Sequence, residues 1–215
     1  MFFLSLALLG QSAPTEQSAT LDTAPFDAAL TCARVAGTGI LPGPRLLDAG
    51  IFNYYLMLAT VNDPKGGSLT QRMPRPQAAL TSKRVRMPVA ATQSLLRQCD
   101  ARFPQARKPG PFTLPKAGFE RDMMCTLSLT VMRGEAESEA RRTGDRKPIE
   151  RYATAIRNYE PGVNAGLVAN GFPSWLSFFD APLPAFVTRW SVAANPHVFS
   201  AACIAALRTP AGPRQ

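Results

Sequence analysis

The chain reads as an all-α protein, a multi-helix bundle of two duplicated helical units, each closed by a disulfide. Three observations point there. Apolar residues recur at spacings of three and four along most segments, and the two-residue alternation of strands is scarce. Seven of the 20 prolines stand at the heads of these segments, where a missing N–H costs nothing. The four cysteines occupy matched positions. Phe26 precedes Cys32 by six residues and Phe119 precedes Cys125 by six, while Pro44 and Pro148 lie 55 residues before Cys99 and Cys203. The first anchors align at an offset of 93 (Cys32 to Cys125) and the second at 104 (Cys99 to Cys203), and the extra 11 residues fall in the charged stretch RGEAESEARRTGD.

The N-terminus comes first. Met1 to Gly10, MFFLSLALLG, is about half the ~20 residues that a membrane-spanning helix needs, and a polar stretch of small residues follows it. Residues 1–19 therefore read as a secretory leader, although no Lys or Arg precedes the apolar run. The expected localisation is periplasmic or secreted, where an oxidising environment makes disulfides the default. No CxxC occurs and the chain has a single histidine, so no metal site and no cofactor is expected. The segments GTGILPGP and KGGS do not meet the Rossmann or P-loop pattern.

Residues 20–104 form the first unit. Thr23 is placed to cap a helix running through Arg34, with Phe26, Ala29, Leu30 and Ala33 on one face. From Pro44 to Asn62, Leu47, Gly50, Ile51, Tyr54, Tyr55 and Leu58 make one apolar stripe, and Asn62-Asp63-Pro64 stops it. Residues 62–74 read as an irregular loop, and Pro88 opens the helix carrying Cys99. Residues 105–117, within the proline-rich FPQARKPGPFTLPKAG, are the linker.

Residues 118–215 form the second unit. Its first helix carries Cys125 and extends through the insertion as a solvated arm, with Glu137 placed to pair with Arg141 and Gly144 to close it. Pro148, Pro161, Pro173, Pro184 and Pro196 each head a further apolar run. Bridges Cys32–Cys99 and Cys125–Cys203 would tie the opening helix of each unit to its closing helix; pairing Cys99 with Cys125 and Cys32 with Cys203 is the main competitor.

Functional signals are few. Residues 65–157 hold 19 basic and 8 acidic side chains, whereas the remainder holds 5 and 7, so the positive excess is central. Arg72, Arg75, Lys83, Arg84 and Arg86 are its densest part and the candidate anion-binding residues. They point to an anionic envelope polymer, a membrane surface or another protein. Nucleic acid is disfavoured because this stretch lacks aromatics for base stacking. In NGFPSWLSFFDAPLPAFVTRW, Trp175, Phe179 and Trp190 are candidates for a ligand groove, with Asp180 and Arg189 at its edge. His197 sits in a helix's first turn after Asn195-Pro196, and no nucleophile motif accompanies it. The expected function is an exported helical binding or structural protein of the cell envelope; the alternative is a hydrolase-like envelope enzyme whose site has no recognisable motif.

Overall fold

A computed structural model describes residues 19–38, 45–82, 87–108, 110–173, 177–178, 183–191 and 193–208. The described residues are helical or irregular, with no strand. In chain order the helices are α1 (Pro25–Ala36), α2 (Arg45–Val61), α3 (Leu69–Arg72), α4 (Pro74–Ser82), α5 (Val89–Arg102), α6 (Phe119–Thr143), α7 (Lys147–Ala169), α8 (Leu183–Ser191) and α9 (Pro196–Arg208), with a 3-10 turn at Pro104–Ala106. No described helix is long and apolar enough to cross a membrane. Residues 1–18 of the leader, Pro44 at its expected helix start, and residues 174–176 directly after Pro173 lie outside the described residues.

The cysteines pair Cys32–Cys99 and Cys125–Cys203, joining α1 to α5 and α6 to α9. All four are buried. Tyr159 on α7 donates its hydroxyl hydrogen to the carbonyl of Cys203 at 2.7 Å, tying the middle helix of the second half to its bridge. Tyr55 is equally buried on α2, but its hydroxyl has no partner among the described residues.

Several local expectations are corrected. The N-cap of α1 is Ala24 rather than Thr23, and no side chain caps the helix. Pro25 supplies the pre-set backbone there, and Arg102 donates to the carbonyls of Asp22 and Thr23. Residues 62–74 are not wholly irregular: Ser68 and Gln71 form a reciprocal capping box that starts α3. Pro161 opens no helix but lies inside α7. The carbonyl that it leaves unserved belongs to exposed Arg157, so water can satisfy it and the helix continues. Glu137 pairs with Arg133, one turn earlier, rather than Arg141; Glu139 pairs with Arg142. Gly144 ends α6 at φ 78°, the left-handed conformation that glycine adopts without steric cost.

The extension of α6 is not a free arm. Ala136 is buried, and Asn53 on α2 donates its side-chain amide to Glu135 at 2.8 Å. Contacts of this kind join the two halves. Helix α2 packs on α6, α8 and α9 as well as on α1. At Gly50 an added Cβ would stand 2.6 Å from the His197 Cβ, so only glycine lets α2 approach the start of α9 this closely. Buried Asn195 completes the joint: Nδ2 donates to the carbonyl of Ala106 at 2.6 Å, and Oδ1 accepts from the N–H of Val198 at 3.0 Å, capping α9. Phe112, from the linker, stacks on Phe199 at 5.5 Å between ring centroids.

Candidate functional site

The seam between the halves leaves a groove of about 310 Å³. Helix α2 contributes Asn53, Leu56, Met57 and Thr60 to one wall, and α6 contributes Leu127, Thr130 and Val131 to another. Val187 and Trp190 of α8 close the base together with Pro196 and buried Leu69 of α3, while exposed Met73 and Gln77 form the rim beside α4. The wall residues follow from helical spacing. Asn53, Met57 and Thr60 lie on one face of α2 at intervals of four and three, as do Leu127 and Val131 on α6. Met73 is 51% exposed at the rim.

The lining is apolar, with four neutral polar side chains and no charged one among the described residues. Two of the four are already engaged. Asn53 Nδ2 donates to Ala49 and Glu135, and Thr60 Oγ1 donates to the carbonyl of Leu56. Trp190 is 4% exposed and packs edge-on against Phe199 at 6.0 Å, with no acceptor at its indole N–H among the described residues. Such a wall can hold an apolar group and orient it through a neutral polar contact. The described lining offers no group with which to move a proton.

Of the residues singled out for a ligand groove, Trp190 lines this one; Trp175, Phe179 and Asp180 lie outside the described residues. Phe178, between them in the chain, is buried and meets Phe119 and Phe172 edge-on at 5.6 and 5.4 Å, in the core. Arg189 pairs with Glu120. Sequence reasoning missed Met57, Leu127 and Val131 because apolar residues at helical spacing look the same whether they fill a core or line a groove.

Of the anion-binding candidates, Lys83, Arg84 and Arg86 lie outside the described residues. Arg75 contacts Asp63 at 2.7 Å and the carbonyl of Gly66 at 2.9 Å, and Arg72 donates to the carbonyls of Gly67 and Val61. Both thus hold the turn after α2. Burial pushes the Asp63 carboxyl upward, but the N–H of Lys65, the hydrogen bond and charge of Arg75, and the charge of Arg72 outweigh it, so its pKa lies below the usual value.

His197 is half-buried, with no partner at Nδ1 among the described residues. Burial, then the charge of Arg151, lowers its pKa, favouring the neutral imidazole. Ser200 is engaged with Ser128 at 2.7 Å, and Ser128 also donates to the carbonyl of Pro196. No cluster of three or more metal-ligating side chains occurs among the described residues. Comparison with family models, characterised proteins and solved structures returns no match for this chain.

Proposed function

We propose that the protein is an exported, disulfide-stapled binding protein of the cell envelope, whose groove between α2, α6 and α8 takes an apolar ligand group. The groove carries this reading. Its volume of about 310 Å³ falls at the lower end of the ~300–1,000 Å³ typical of ligand pockets, and neutral polar side chains interrupt its apolar walls. Two buried disulfides and the apolar run at Met1 to Gly10 support export to a periplasmic or secreted location. The order of helices supports duplication. The series α1 to α5 and the series α6 to α9 each run from a first helix to a last helix bridged back to it, the short α3 having no counterpart among the described residues of the second series. In this reading the groove arises where the two copies face one another.

The test is titration with a neutral naphthylamine dye, whose fluorescence rises in apolar surroundings. Met73→Asp at the rim should weaken binding about tenfold, the worth of one lost apolar contact. Thr130→Trp, from an exposed position on α6, should block the groove. Dye binding unchanged by both substitutions would dismiss the groove as the site.

A further inference from the structure

A second depression lies between α7 and α9, with a volume of about 410 Å³. We propose that it is a docking site for the phosphate-bearing surface of an anionic lipid bilayer. Lys147 and Arg151 stand one turn apart on α7, and Arg208 faces the same depression from the last turn of α9. All three side chains are exposed. Arg75, Arg107, Arg121, Arg133, Arg142 and Arg189 each pair with a carboxylate, but no such pair involves Lys147, Arg151 or Arg208 among the described residues. Glu150 is the one acid in the lining, which leaves the cations in excess by two. The positive field continues past the α6–α7 turn, where Arg141 and Arg146 line a neighbouring depression against Glu137.

An apolar wall selects the kind of anion. Ile204 and Leu207 share the depression with the cations, and Leu207 is 40% exposed. A soluble polyanion gains nothing from an exposed leucine. A bilayer does, because its phosphates meet the cations while the leucine reaches the boundary between headgroups and acyl chains. The depression holds no aromatic side chain on which a nucleobase could stack. Attachment would be peripheral, through one corner of the bundle.

The experiment is co-sedimentation of the full chain with vesicles of phosphatidylglycerol in phosphatidylcholine, across a salt series. Replacing Lys147, Arg151 and Arg208 together with Ala should lower partitioning on the order of 100-fold at low salt. Replacing exposed Arg97, Lys108 and Lys116 with Ala removes the same charge elsewhere and should leave binding nearly intact. Glu150→Gln should strengthen binding, and Leu207→Ser should weaken it without altering its salt dependence; both keep the proposal testable should the triple variant fold poorly. Equal losses in the two triple variants, or equal binding to pure phosphatidylcholine, would overturn it. So would heparin binding through the same three cations while vesicles do not bind, which would identify a soluble polyanion as the occupant.

Discussion

Replacing Asn195 with Ala should be among the most damaging single polar substitutions in the chain, and its cost can be built from two contacts. Removing the cap acceptor of α9 costs about 1 kcal/mol. Removing the donor to Ala106 strands a carbonyl in a place where both residues are fully buried, at a further ~1–3 kcal/mol. The total is on the order of 2–4 kcal/mol, which for a chain of this length lowers Tm by roughly 4–16 °C. Asn195→Asp separates the parts. It keeps an acceptor for the N–H of Val198 but turns an oxygen toward Ala106, and the buried site raises the folded pKa of the new carboxyl. A raised folded pKa means that the folded state binds the proton more tightly. The variant therefore approaches wild type below about pH 4 and loses stability as pH rises through the folded pKa. Urea unfolding followed by circular dichroism, at pH 3.5 and pH 7 with m-values compared, gives both numbers. An Asn195→Ala cost below about 0.5 kcal/mol, or an Asp variant matching Ala at both pH values, would refute the assignment of Asn195 as the tie between the halves.

Other consequences are open to simple measurement. Opening either bridge by paired Cys→Ser replacement should cost about 4 kcal/mol by loop-closure entropy, since the sequence separations are 67 and 78 residues. Because all four cysteines are buried, dithiothreitol should reduce the native protein slowly and speed up steeply with urea; rapid reduction in buffer would contradict the packing. Gly50→Ala should destabilise by about 1–3 kcal/mol, because the new methyl meets the Cβ and backbone of His197, and calorimetry would detect it. The Asp63–Arg75 pair should contribute stability above about pH 4 that is lost as pH falls through the depressed Asp63 pKa, so Arg75→Gln should flatten the acid limb of the Tm profile.

Much of the framework was legible because it depends on local rules. The even spacing of Phe26, Cys32, Phe119 and Cys125 made the within-unit bridges the favoured pairing, and the α2 stripe through Gly50, Tyr54 and Leu58 is a helical period visible in any window. Proline as an opener worked at Pro88, Pro148 and Pro196, which stand at or just before first turns, and failed at Pro161, whose missing hydrogen bond falls on an exposed face. What escaped depended on partners far along the chain. The insertion reads as a solvated arm until Asn53 reaches Glu135, and Arg75 reads as a free cation until the turn brings Asp63 to it. Trp190 was legible as part of an aromatic cluster. The walls that meet it were not, since Met57 and Val131 carry no mark separating a groove from a core.

The order of the two bridges along the chain bears on how the protein first acquires its shape. Cys32–Cys99 closes before Cys125 in the sequence, so the bridges are consecutive rather than nested or interleaved. A chain that meets oxidant N-terminus first presents its first two thiols together before a third exists to compete for them. Each correct pairing is then the one available at the time. On the proposed export route, each half would then be closed without competition from the thiols of the other.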